Sequence, residues 1–326
     1  MKLETSNQRI SLSAPAKVNL FLAITGKRSD GFHELVSLMA KVDLCDLITL
    51  EKTDRVGEIS CDCRGNEQLS GEGNLAWKAV DLWREVTGEQ YGVRVTIQKN
   101  IPLMAGLGGG SSDAVATLKA LNSFRESPLG QEELIGIAAR LGSDCPSFLI
   151  EGACVATGRG EVVRPVSQEA NSRLNGKKVF LFKPPLGFST AEIYKSVKGF
   201  SSKEEAAGRI HFWEKEGMNL EDCIENDLEK PVFEKYLFMN PLFEGLKAQF
   251  GLSSVLSGSG SCCFAILPDD CAVEPLTRCI KESWGEETFV ARDLFRKSCS
   301  EVGSLVVSSV SSGKSRLLSL SWVTWK

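Results

Sequence analysis

The chain has 326 residues, 42% of them hydrophobic and 25% charged, with a formal net charge of −4. That composition excludes a disordered or fibrous protein and calls for one large or two ordinary globular domains with a full core. The slightly acidic balance excludes nucleic acid or an anionic membrane as the main partner, and no apolar run approaches the ~18 residues that span a bilayer.

Met1–Ile10 has no apolar stretch of the kind a secretory leader carries, so a cytoplasmic location is expected. Eleven cysteines are scattered along the chain. The close pairs Cys61/Cys63 and Cys262/Cys263 lack the C-x2-C spacing of a zinc site, and only His33 and His211 could supply imidazole. These cysteines read as small buried hydrophobes in a reducing compartment.

From the N-terminus, the first strand places Val18, Leu20, Leu22 and Ile24 on one face and Lys17, Asn19, Phe21 and Ala23 on the other. Lys17 and Asn19 are therefore neighbours. A lysine on a sheet face is either solvated or, when interior, in need of a charge partner or a function. Pro15-Ala16 before it and the apolar strand after it point to the interior. Asp30-Gly31 marks a turn, and Phe32 and His33 after it fit either simple packing or a pocket rim. Asn74 opens a helix over Leu75 to Val86.

Val93, Val95 and Ile97 alternate as a strand, and Ala114, Leu118 and Leu121 follow at helical spacing. Between them runs Pro102-Leu103-Met104-Ala105-Gly106-Leu107-Gly108-Gly109-Gly110-Ser111-Ser112. Such a run is either a flexible linker or an anion cradle. Glycines admit close backbone approach, and a helix N-terminus directs free N–H groups and positive dipole at the ligand. The short length, the opening proline and the apolar helix beyond favour the cradle. The P-loop pattern does not fit, because no lysine precedes Ser111, and the dinucleotide pattern fits only loosely.

A second amphipathic helix carries Leu134, Ile137, Ala138 and Leu141, then stops at Gly142 and Pro146. Asp144 falls in that tight loop, where it either bonds its own backbone or serves a site. Residues 166–178 turn polar, which divides the chain into 1–168 and 169–326. The second half opens with a strand over Val179 to Phe182, followed by a loop and a helix capped by Ser189 or Thr190. Ser253 onward reads strand, glycine-serine loop, strand. Strands and helices mix without strict alternation, which favours an α+β class.

Three of these segments together resemble the GHMP kinase superfamily, the galactose, homoserine, mevalonate and phosphomevalonate kinases. They are Pro-x-x-x-Asn-Leu at Pro15–Leu20, Pro-x3-Gly-Leu-Gly-x-Ser-Ser at Pro102–Ser112 with one added glycine, and Ser257-Gly258-Ser259-Gly260-Ser261. The resemblance implies a two-domain α+β fold. An N-terminal ATP-binding domain like domain 2 of ribosomal protein S5 joins a ferredoxin-like C-terminal domain, with the site in the cleft between them. Gly26 to Leu35, Gly142 to Pro146, Gly187 to Tyr194 and Asn226 to Glu229 are similar to one branch, whose members phosphorylate the 2-hydroxyl of 4-diphosphocytidyl-2-C-methyl-D-erythritol on the non-mevalonate route to isoprenoids.

The resemblance implies Lys17 and Asp144 as the catalytic pair and ATP with Mg²⁺ on the Pro102–Ser112 loop. It implies no protein metal ligand beyond Ser112. Phe32 and Tyr194 would sandwich the cytosine, while Asn19, His33 and Thr190 would meet the substrate's polar groups and Asn74 the adenine. A small-molecule substrate and a monomer or weak homodimer are expected. Leu103-Met104-Ala105 departs from the smaller residues usual there, as do Cys145 and Ser147 from valine and phenylalanine. The rivals are another small-metabolite kinase of the superfamily, which would lack the Asp-Gly-aromatic-His segment, and a non-enzymatic sensor, which would have lost Lys17 or Asp144.

Overall fold

The computed structural model describes residues 9–296, and the serine-rich tail Gly303 to Lys326, for which the sequence suggests no role, lies outside the described residues. In chain order the strands are β1 (Arg9–Lys27), β2 (His33–Thr53), β3 (Ile59–Arg64), β4 (Gly92–Gln98), β5 (Cys154–Gly158), β6 (Val162–Pro165), β7 (Lys178–Lys183), β8 (Glu225–Asn226), β9 (Ser254–Leu256), β10 (Cys263–Leu267) and β11 (Phe289–Leu294). The α-helices are α1 (Leu75–Thr87), α2 (Gly109–Ser123), α3 (Gln131–Leu141), α4 (Gln168–Leu174), α5 (Thr190–Lys195), α6 (Lys203–Glu216), α7 (Leu220–Cys223), α8 (Glu229–Lys235), α9 (Met239–Phe250) and α10 (Val273–Trp284).

A seven-stranded sheet runs β3-β4-β2-β1-β8, with β5 also paired to β2 and β6 to β5. Helices α1, α2 and α3 cover one face through Trp83, Leu118, Leu121 and Ile137. A four-stranded antiparallel sheet, β11-β7-β10-β9, carries α8, α9 and α10 over Phe180 and Phe182, with Leu246 of α9 in the same core. This is a two-domain α+β architecture. The two halves share core: Val18 and Leu20 of β1 pack in one cluster with Leu181 of β7, Trp213 of α6 and Phe264 of β10.

The alternation expected along β1 holds only as far as Leu20. Asn19 pairs with Met39 and Phe21 with Leu38, so Leu20 stands as an extra residue. Such a bulge shifts the parity of everything after it. Val18, Leu20, Phe21 and Ala23 therefore share one core, while Leu22 and Ile24 belong to another. The correction serves the site. It keeps Lys17 and Asn19 opposite Val18 and lets the far end of β1 meet the second half, where Leu22 pairs with Asn226.

Local chemistry explains the other elements. Helix α1 begins at Asn74, whose side chain accepts from Ala76 N, and stops at Gly88 in the left-handed region. Helix α3 ends at Gly142, whose N–H reaches Ala138 O. The polar stretch at 166–178 is not bare linker: Ser167 caps α4 by accepting from Ala170 N. Ser189 precedes α5, but neither it nor Thr190 caps that helix through its side chain, since the Thr190 hydroxyl is bonded to Ser259 instead.

Candidate active site

The glycine-rich run does become a loop between β4 and α2, closing on the helix start. Gly106 and Gly108 have φ of +71° and +70°, conformations that residues with a Cβ adopt at a cost. A Cβ on Gly108 would lie 2.9 Å from Phe148 Cζ and 3.2 Å from Lys17 Cγ. One on Gly106 would lie 2.0 Å from Ser257 O. Gly108 precedes α2, so the N–H groups of the helix's first turn lack helical partners and face outward.

A buried network fixes this loop from below. Lys99 Nζ donates to Asp46 and, at 2.8 Å, to Asp113 Oδ2. Asp46 Oδ1 accepts from Asn100 N at 2.6 Å and Ile101 N at 2.9 Å. Both ends of the loop are thus tied to one ammonium group. Burial pushes Asp113 up to about 7, against the pull of Lys99.

The serine-glycine loop of the second half fixes it from above. Ser261 N donates to Met104 O at 3.2 Å, Cys262 N to Ala105 O at 3.1 Å, and Ser257 Oγ to Gly106 O at 3.1 Å. Asn226 Nδ2 holds the carbonyls of Leu256 and Gly258, each at 2.8 Å. Met104, the loop's one non-glycine residue at positive φ, packs against Gly187 across the cleft. Its departure from smaller residues therefore adds a contact between the halves.

Lys17 lies where these parts meet and is 4% exposed. Its Nζ donates to Asn19 Oδ1 at 2.6 Å and Gly106 O at 2.8 Å, and lies 3.7 Å from Asp144 Oδ2. Asn19 passes the chain on, donating to Ser37 Oγ at 2.9 Å. Asp144 sits between α3 and a 3-10 turn, Cys145–Leu149. The Ser147 hydroxyl and N–H both donate to the Asp144 backbone carbonyl, so the turn is held without the Asp144 side chain. The Asp144 carboxylate makes no cap bond and remains available at 38% exposure.

Around the rim, Phe32 is half exposed and lies beneath the Arg159 guanidinium, 5.1 Å from ring centroid to Cζ. Asp30 accepts from Phe32 N at 3.1 Å and from Arg28, which fixes the turn. His33 and Tyr194 approach with ring centroids 5.4 Å apart, bringing β2 and α5 together. Burial, then Lys27, lowers His33, which favours its neutral form. Burial, then the Asp144 charge, raises Tyr194, so its phenol keeps its proton.

Two expected contacts take another form. Asn74 Oδ1 caps α1 and its Nδ2 donates to Leu69 O at 2.8 Å, so contact with a base would require it to exchange partners. Asn19 is committed to Lys17 and Ser37. Arg159, Phe148 and the Asp46–Lys99–Asp113 network were not found from sequence. Only the nearness of Lys99 to Pro102 gave any signal for them.

Three comparisons bear on this geometry. The profile of the GHMP kinases N terminal domain matches residues 74–152, and that of the GHMP kinases C terminal region matches 214–286. The 4-diphosphocytidyl-2-C-methyl-D-erythritol kinase of Pelobacter propionicus is 35% identical over 263 residues, covering 80% of this chain and 90% of its own. The kinase of the same name from Shouchella clausii is 36% identical over 269 residues, 81% of this chain and 88% of its own.

A crystal structure of 4-(cytidine 5'-diphospho)-2C-methyl-D-erythritol kinase superposes with a TM-score of 0.67 at 30% identity, covering 87% of this chain and 99% of that one. A mevalonate kinase crystal structure, at 17% identity and a TM-score of 0.64 over 89% of this chain and 99% of that one, shares the fold. With relatives above 30% identity across four-fifths of its length, the chain belongs to the 4-diphosphocytidyl-2-C-methyl-D-erythritol kinase family of the GHMP kinases.

Proposed function

We propose that the protein transfers the γ-phosphoryl group of ATP to the 2-hydroxyl of 4-diphosphocytidyl-2-C-methyl-D-erythritol, giving the 2-phosphate and ADP. The observation that carries the reading is the buried Lys17 ammonium, 3.7 Å from a carboxylate of Asp144 that makes no cap bond, beside a glycine loop at a helix start. Asp144 accepts the hydroxyl proton, the oxygen attacks the γ-phosphorus, and the bond to the ADP oxygen breaks. Lys17 stabilises the negative charge on the attacking oxygen. Asn19 orients Lys17. Phosphoryl transfer otherwise asks mainly for positioning and charge neutralisation, which the amides at Gly108 to Ser111 supply to the phosphates.

Mg²⁺ fits the donor set. Ser112 Oγ is buried without a partner beside the loop, and among the described residues no group of three His, Cys, Asp or Glu forms a protein cage. A cation that takes one protein oxygen plus substrate phosphates and waters suits magnesium. When bound, it neutralises phosphate charge.

Phe32 and Tyr194 hold the cytosine, with Arg159 over the outer ring. His33 and Thr190 line the same pocket. The domains divide at 168/169 and the protein works in the cytoplasm as a monomer or weak homodimer. Among the described residues no helix is long and apolar enough to cross a membrane. Asp144→Asn tests the chemistry: turnover should fall about 10²–10⁴-fold while ATP affinity stays put. Near-normal turnover contradicts the assigned base.

A further inference from the structure

At the end of the 3-10 turn is a cavity of about 190 Å³ lined by Lys41, Lys119, Arg296 and the stretch Phe148 to Gly152. Lys41 pairs directly with Lys17 across β1 and β2, yet it serves no group in the catalytic account. Its Nζ donates to Ile150 O and, at 3.0 Å, to Gly152 O. Lys119 Nζ donates to Phe148 O at 2.9 Å. Arg296 Nη1 points at Cys45 Sγ, 3.3 Å away. Burial raises that thiol to about 11, so it is uncharged.

Every one of these hydrogen bonds therefore ends on a neutral group. Three cations meet in one concavity, and among the described residues Glu151 is the one carboxylate that lines it. Lys41 is pushed down to about 8, first by burial, with Arg296 adding to it. Lys119 is lowered too, by the surrounding protein and then by Lys41 and Arg296. Because Lys119 keeps an open face, the neighbouring cations carry the physical weight there. Like charges held together in a concave site favour an anion that would relieve the repulsion.

We propose that Lys41, Lys119 and Arg296 form an accessory anion site that takes a small phosphate-class ligand, a free phosphate or diphosphate group. The volume is below the ~300–1,000 Å³ of sites for drug-sized ligands, which suits an inorganic or terminal phosphate rather than a whole nucleotide. The site also touches the catalytic frame. The carbonyl that Lys119 holds lies within the turn that follows Asp144 and those that Lys41 holds lie just beyond it, and Phe148 is the residue whose ring fills the space beside Gly108.

Calorimetric titration of the full chain with pyrophosphate tests the site, run alone and then with a saturating non-hydrolysable ATP analogue that occupies the glycine loop. One pyrophosphate should still bind in the presence of the analogue, and inorganic phosphate should compete for it. Lys119→Gln, a change on an exposed helix face, should weaken that binding about tenfold, the loss of one charged hydrogen bond. Lys41→Gln should do the same, and neither should move the affinity for the analogue. Complete loss of pyrophosphate binding when the analogue is present overturns the proposal. So does unchanged binding in both variants.

Discussion

Two loops of nearly the same composition, Gly106 to Ser112 and Ser257 to Ser261, have opposite fates. In the first, Gly108 and Gly109 are partly open, Gly110 is exposed and a helix begins there. In the second, every residue is buried and a strand follows. The difference lies in where the backbone N–H groups go. Those of Ser261 and Cys262 are used on Met104 and Ala105, whereas those at the start of α2 are left free by the helix geometry. Glycine thus allows the first loop to approach a ligand and the second to approach the first loop.

If one loop binds and the other holds, substitutions should separate them. Gly108→Val should have the largest effect. It forces a branched side chain into φ +70° against Phe148 and Lys17, and ATP binding by calorimetry should vanish. Gly258→Ala comes next. Its Cβ would sit 3.2 Å from Asn19 Oδ1 and 3.4 Å from Lys17 Nζ at φ +56°. Strain of about 1–3 kcal/mol there should lower kcat through Lys17 while leaving ATP affinity within twofold. If ATP affinity falls as far as in the Gly108 variant, the two loops do not divide the work.

Phe32→Ala tests the rim rather than either loop. Losing one stacked face, about 1–3 kcal/mol, should raise KM for the cytidylyl substrate about tenfold and leave KM for ATP unchanged. An equal rise in both would count against the stacking.

Glu229→Gln has the smallest effect on turnover and probes the second loop's support through stability. Glu229 accepts from Leu256 N at 2.8 Å, and burial pushes it up to about 7 from an ordinary 4.5. Between those values the folded chain keeps a proton that the unfolded chain has released. The stabilisation is therefore full below pH 4.5 and is lost as pH rises through 7, on the order of 3–4 kcal/mol at most. Denaturant midpoints at pH 5 and pH 8 should lie closer together in the glutamine variant. An unchanged gap would show that Glu229 is ionised throughout.

What the sequence made legible is what local chemistry determines. The cradle, the caps at Asn74 and Gly142, and the buried position of Lys17 follow from residues within a few positions of each other. The Leu20 bulge was not legible, because its parity depends on a register with Met39 and Leu38. Phe148 filling the space beside Gly108 and Asp46 tying down Asn100 are long-range consequences of packing. Asn19 stands as a substrate contact only through the family resemblance. Its bond to Lys17 became visible only when both side chains and Ser37 were in place.

The central claim is that this site phosphorylates one particular alcohol. ATP turnover by a coupled assay, with 4-diphosphocytidyl-2-C-methyl-D-erythritol run beside mevalonate, homoserine and galactose, tests it most directly. Turnover confined to the cytidylyl compound is the predicted result. Turnover with one of the other alcohols, or with none of the four, would contradict the account.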